Sequence, residues 1–89
     1  MLKILFHHSF KRAYKRSVST GSEREEKFRS KLELFTDNPF NPSLRTHKLK
    51  GRLNGYWSFS IEYDLRVIFY FEDEETVVLF DIGSHDDVY

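Results

Sequence analysis

The sequence predicts an α+β domain: a two-helix N-terminal hairpin packed on a mostly antiparallel four- to five-stranded sheet, in the order β-α-α-β-β-β-β. Three observations predict it. From Ser9 to Phe35 apolar residues recur at helical spacing, with one break at Gly21. From Tyr56 onward they alternate with polar residues, as in half-buried strands. The chain has 89 residues with nine Phe, five Tyr and one Trp, aromatic area enough for a core and too much for a disordered chain. Residues 1–89 form one domain, with no internal repeat and no low-complexity linker.

Lys3-Ile4-Leu5-Phe6 is a short first strand. Ser9 is placed to cap a first helix with Phe10, Ala13, Tyr14 and Val18 on one face, and Lys11, Arg12, Lys15 and Arg16 on the other. Ser22-Glu23-Arg24-Glu25 then reads as a capping box opening a second helix, which buries Phe28, Leu32 and Phe35 and ends before Asn38-Pro39. The short link makes the pair an antiparallel hairpin. Pro39 to Pro42 is a loop and Leu44 to Leu49 a strand. Leu53-Asn54-Gly55 is a turn, with the positive φ that Asn-Gly supplies. Tyr56–Tyr63 points Trp57, Phe59, Ile61 and Tyr63 to one face; Leu65–Phe71 points Leu65, Val67, Phe69 and Phe71 to one face and Arg66, Ile68 and Tyr70 to the other. Glu72-Asp73-Glu74-Glu75 is a charged turn before the last strand, Thr76–Ile82. The helical hairpin covers one sheet face and leaves the other open.

The net charge of zero conceals an asymmetry. Residues 1–52 hold 13 Lys/Arg against 5 Asp/Glu, whereas residues 53–89 hold Arg66 alone against 9 Asp/Glu. Two readings are open: a charged working face, or mutual neutralisation across the fold. Cysteine is absent, which excludes disulfides and thiolate metal sites and fits a cytoplasmic location. No apolar stretch is long enough to span a bilayer, and the start is too short and polar for a signal peptide, so no membrane partner is expected.

Arg66 is a guanidinium on a strand, suited to a phosphate or to an ion pair with Asp64, Glu62 or a residue of a neighbouring strand. His47 lies beside Lys48 and Lys50, and His85 beside Asp86 and Asp87; each is a candidate acid or base or an ordinary surface histidine. Their spacing does not suit a metal site, and no cofactor is expected. Arg45, Lys48, Lys50 and Arg52 form a basic strip around His47, either a phosphate contact or a guarded strand edge.

His47-Lys48-Leu49-Lys50-Gly51, Gly55-Tyr56-Trp57-Ser58-Phe59-Ser60-Ile61, Tyr63-Asp64-Leu65-Arg66-Val67-Ile68-Phe69-Tyr70 and the ending Ile82-Gly83-Ser84-His85-Asp86-Asp87-Val88-Tyr89 resemble the RelE/ParE superfamily of bacterial toxins, most closely its RelE-type and YafQ-like mRNA interferases. The resemblance runs over nearly the whole chain, and the C-terminal stretch is its most specific part. It implies a type II toxin that cleaves mRNA on the ribosome by metal-free 2′-OH attack and is neutralised by a cognate antitoxin. His47, Asp64 and His85 match catalytic positions, Arg66 the phosphate-stabilising Arg, and Tyr89 the terminal aromatic that positions RNA. Partners implied are ribosome-bound mRNA with 16S/23S rRNA, the antitoxin, and operator DNA only through it. Tyr14, Val18, Lys11 and Lys15 border the groove expected to take the antitoxin. Two departures stand out. Ser60 replaces a further family His, and the chain is neutral where nuclease relatives are basic. A ParE-like gyrase-inhibiting toxin without nuclease activity, or a degenerate toxin that only binds antitoxin, are the alternatives.

Overall fold

A computed structural model describes residues 1–84 of the chain; His85 and Tyr89 lie outside the described residues. The element order is β1 (Lys3–Phe6), α1 (His8–Ser17), α2 (Glu23–Asp37), β2 (His47–Lys48), β3 (Trp57–Glu62), β4 (Leu65–Phe71) and β5 (Thr76–Gly83). Two 3-10 turns, Pro42–Leu44 and Gly51–Leu53, flank β2. The sheet order is β1-β5-β4-β3-β2. Three neighbouring pairs are antiparallel, and β1 runs parallel to β5, so the sheet is mixed. Among the described residues no helix is long and apolar enough to cross a membrane.

The first helix is capped two residues earlier than the sequence suggests. His7 is its N-cap, its Nδ1 accepting from the Ser9 amide at 3.1 Å. The Ser9 hydroxyl instead donates to the Phe80 carbonyl at 2.8 Å, which ties α1 to β5. Ser22 caps α2 as expected, its Oγ accepting from the Glu25 amide at 3.2 Å. The Glu25 carboxylate reaches back to the Gly21 amide at 2.9 Å, one residue beyond the usual box partner. Phe10 and Tyr14 meet Phe28, Tyr14 meets Glu25, and Arg24 donates to the Ser17 carbonyl. Contacts that step backward along α2 as they step forward along α1 are those of an antiparallel hairpin.

Phe35 holds this layer to the sheet. It is fully buried, stacked on Phe59 at 4.4 Å and edge-on to Phe69 at 4.9 Å. Leu65, Val67, Val77, Leu79 and Ile82 complete the core on that face, matching the alternation of β4 and β5. Tyr63 departs from its expected inward place: it is 94% exposed, because β3 stops at Glu62 and Tyr63-Asp64 form the link to β4. The opposite face is less open than expected. Ile68, Val78 and Ser58 on it are buried.

The expected strand from Leu44 to Leu49 is reduced to two residues. Asn41 Oδ1 accepts from the Ser43 amide at 3.0 Å and winds Pro42–Leu44 into a 3-10 turn that buries Leu44. Arg45 then turns the chain with a left-handed φ of 53°. The Asn54-Gly55 turn is present, but only Gly55 has positive φ (96°), and the Tyr56 amide donates to the Leu53 carbonyl at 3.0 Å. Positive φ at the second central position alone is the pattern of a type II turn, not of a two-residue hairpin.

Candidate functional site

Register decides which side chains meet on the face turned away from the helices. His47 pairs with Ser58, Ser58 with Ile68, and Ile68 with Asp81, so these four form one cross-sheet row. One step along, Ser60 pairs with Arg66 and Arg66 with Gly83. Tyr70, on the other side of the first row, pairs with Val78. Because side chains alternate, these rows share a face and follow each other at about 7 Å, two residues of strand. His47 and Arg66 are therefore brought to one face in adjacent rows.

Arg66 is neither solvent-exposed nor ion-paired to Asp64 or Glu62. Its Nη1 donates to Ser60 Oγ at 3.0 Å, and Ser60 is only 9% exposed. Its Nε is buried and has no hydrogen-bond partner among the described residues. Glu62, the expected partner, faces α2 and pairs with Arg24 Nε at 3.5 Å and Lys27 Nζ at 3.6 Å. Arg66 and Ser60 line a cleft of about 230 Å³ with Lys31, Ser43, Arg45 and Glu62. The cleft forms because β2 pairs with β3 only at Trp57 and Ser58, so the rest of the β3 edge carries no neighbouring strand among the described residues. Lys31 and Ser60 were not named as site residues from the sequence. The departure at Ser60 marked the position, but its partnership with Arg66 needed the register.

The basic strip is not one strand face. Lys48 lies over the Trp57 ring at 5.5 Å, Lys50 precedes the Gly51–Leu53 turn, and Arg52 is inside that turn. Arg45 alone of the four lines the Arg66 cleft. His47 is exposed, with Nδ1 3.0 Å from the Arg45 carbonyl, which fixes the ring's orientation at the β2 edge.

Asp64 is placed apart from that cleft. It borders a cavity of about 520 Å³ with Arg16, Ser17, Arg24, Asp81, Ile82 and Ser84. Ser84 is the last described residue, and the predicted catalytic His85 lies outside the described residues. On the helical side, Tyr14, Lys11 and Lys15 border an apolar cleft of about 310 Å³ floored by Phe6, Phe10 and Phe28. Val18 does not take part; it is buried in the core, because the chain leaves α1 there and turns inward.

The model of the YafQ family, described as a bacterial toxin of type II toxin–antitoxin systems, matches residues 2–89. No curated protein matches the chain. Among solved structures, a metal-bound toxin from Helicobacter pylori is 27% identical over 100% of both chains, with a TM-score of 0.75. The YafQ chain of the E. coli DinJ–YafQ complex is 16% identical, covering 100% of this chain and 99% of that one, with a TM-score of 0.79. A YoeB/ParE toxin from Agrobacterium tumefaciens is 21% identical, covering 94% of this chain and 99% of that one, with a TM-score of 0.77.

Proposed function

The chain belongs to the YafQ family of bacterial type II toxins, and from that premise we propose that it is an mRNA endonuclease acting on ribosome-bound message and silenced by a cognate antitoxin. The observation that carries the nuclease reading is Arg66. One arm of its guanidinium is held by Ser60, while Nε is buried without a partner among the described residues. An unmet buried donor costs about 1–3 kcal/mol, more where charge is involved. A phosphate oxygen accepting from this guanidinium removes that cost, and removes most when the oxygen gains charge in the transition state.

The reaction needs no group beyond RNA and side chains. The 2′-oxygen attacks the adjacent phosphorus in line, and the 5′-oxygen leaves. A base takes the 2′ proton, an acid protonates the leaving oxygen, and Arg66 meets the charge on the phosphoryl oxygens. His85 and His47 are assigned the proton transfers, as the family resemblance implies; His47 stands in the sheet row next to that of Arg66. Asp64, beside Ser84 in its cavity, is assigned to orient His85 rather than to touch the RNA. A positioned acid or base contributes roughly 10²–10⁴-fold. The rest falls to positioning of the message, for which the ribosome is the natural frame.

The DinJ–YafQ complex pairs a structural relative with an antitoxin. Here the apolar cleft of Phe6, Phe10, Tyr14 and Phe28, rimmed by Lys11 and Lys15, is assigned to an amphipathic antitoxin segment with acidic flanks.

The test is expression in cells or a translation extract with mapping of mRNA ends. Wild type is expected to produce cuts in translated message. His85→Ala is expected to abolish both cuts and toxicity while the fold and antitoxin binding persist. Growth arrest with intact mRNA sinks the nuclease reading; DNA breaks and an SOS response in that case select gyrase inhibition.

A further inference from the structure

We propose that Tyr56 and Tyr70, backed by Phe80, form a stacking platform for an unpaired base of the message near the cut phosphate. This rests on the nuclease reading and deepens it by naming what holds a neighbouring nucleotide. The rings are continuous: Tyr56 stands edge-on to Tyr70 at 5.6 Å and meets Phe80 at 5.2 Å, and Phe80 meets His7 at 4.9 Å. Tyr56, Tyr70 and Phe80 are each partly buried and none is closed off from solvent. Phe80 owes its place to a break in register: Phe69 pairs with Leu79 and Ile68 with Asp81, so Phe80 is the extra residue of a bulge. Bulges re-aim a side chain, and this one turns an aromatic toward Tyr56.

Position and charge identify the occupant. Tyr70 shares a strand face with Arg66 and lies four residues from it, about 13 Å. The stacked base therefore belongs to a nucleotide near the reacting phosphate, not at it. Cationic side chains gather at the β2–β3 edge, where Arg45 and Arg66 line one cleft. A polyanion crossing this face runs its phosphates along the β2–β3 edge, where Arg45 and Arg66 meet them. Its bases then fall inward, over Tyr56 and Tyr70. Partly exposed aromatics beside a cationic edge are an arrangement by which proteins hold single-stranded RNA.

The probe is a short, fully 2′-O-methylated oligoribonucleotide carrying 2-aminopurine, offered free and as message on programmed ribosomes to the full-length chain. It lacks the attacking hydroxyl, so binding is read without cleavage. Stacking quenches 2-aminopurine. Wild type is expected to bind with quenching. Tyr56→Leu and Tyr70→Leu, which keep apolar cover over Ile68, are expected to lose the quench and bind about tenfold or more weakly, in line with the usual worth of a stacked base. Tyr56→Phe is expected to stay within about threefold of wild type, since the ring is kept. Melting curves and antitoxin binding report the fold of each variant. Quenching by the leucine variants equal to wild type overturns the proposal, as does binding of wild type without quench or no binding in either arm. Leucine variants that lose antitoxin and retain RNA assign the face to the protein partner and also overturn it. Failure of the nuclease reading appears separately, as natural message left uncut while the quench and its loss in the leucine variants stand.

Discussion

Ser60 and Arg66 show how much one residue's setting governs its chemistry. The guanidinium is delivered by β4, but its direction is set by a hydroxyl on β3, 3.0 Å away in the paired register position. Ser60→Ala removes this anchor without adding bulk. A hydrogen bond to a charged group is worth about 1.5–3 kcal/mol. If half of that is realised as misplacement of the guanidinium in the transition state, cleavage falls about four- to thirteenfold. The measurement is single-turnover cleavage of message on programmed ribosomes, with thermal melting alongside. The expected pattern is lost rate with a melting temperature lowered by about 4–8 °C for each kcal/mol lost and antitoxin binding retained; an unchanged rate assigns Ser60 to packing alone. Arg66 itself was legible in the sequence as the lone cation of the acidic half. Its partner was not, because Asp64 and Glu62 are its obvious neighbours along the chain. Glu62 is claimed by Arg24 and Lys27, which only the docking of α2 brings near.

At the scale of elements, α1 is tied to β5 through Ser9 and Ser17, and Phe35 of α2 is buried against Phe59 and Phe69 of the sheet. Phe35→Ala empties a fully buried site between Phe59 and Phe69 and is expected to cost about 3–5 kcal/mol. That is a large share of a small domain's stability, so denaturant unfolding should show a shifted midpoint or no folded baseline. The seam between α1 and α2 gives a different signature. Burial raises the Tyr14 phenol above its usual value, with the neighbouring Glu25 charge and hydrogen bond adding to it. A raised acid favours its protonated form in the folded chain. Its contribution is therefore complete below the unfolded phenol value of about 10 and is lost as pH rises through the folded one. Tyr14→Phe should flatten that alkaline loss, measured as stability between pH 9 and about 11; an unchanged alkaline limb would place the loss elsewhere. The helices, β3, β4 and β5 were readable because their periodicity is long and agrees with their burial. The short β2 was not. Leu44 to Leu49 reads as a strand, yet it has apolar residues only at its two ends, and Asn41-Pro42-Ser43 supplies a local turn that wins over so weak a pattern.

For the whole molecule, the opposed charges of the two halves resolve into places. Part of the asymmetry is neutralised where Arg24 and Lys27 meet Glu62. Part remains as two cationic borders, Arg45 with Arg66 at the β3 edge and Lys11 with Lys15 beside the aromatic cleft. Composition located neither border, since both depend on which strand and helix the fold sets side by side. The second border carries the last prediction. Phe6, Phe10, Tyr14 and Phe28 offer an antitoxin helix its apolar contact, and the two lysines, four residues apart on one side of α1, offer it a charge register. Each exposed pair is worth about 0.2–1 kcal/mol, and reversal replaces an attraction by a repulsion. Lys11→Glu with Lys15→Glu should therefore weaken antitoxin binding by about tenfold or more at low salt. Because screening removes attraction and repulsion alike, the affinities of wild type and variant should converge as salt rises toward 1 M, where charges reach only about 3 Å. Calorimetric titration at low and high salt measures this, and cleavage of message by the antitoxin-free variant should match wild type, since neither lysine borders the Arg66 cleft. Equal affinity of wild type and variant at low salt would move the antitoxin to another surface, whereas a loss that persists undiminished at high salt would mean that the substitutions act through the packing of α1 instead of through charge.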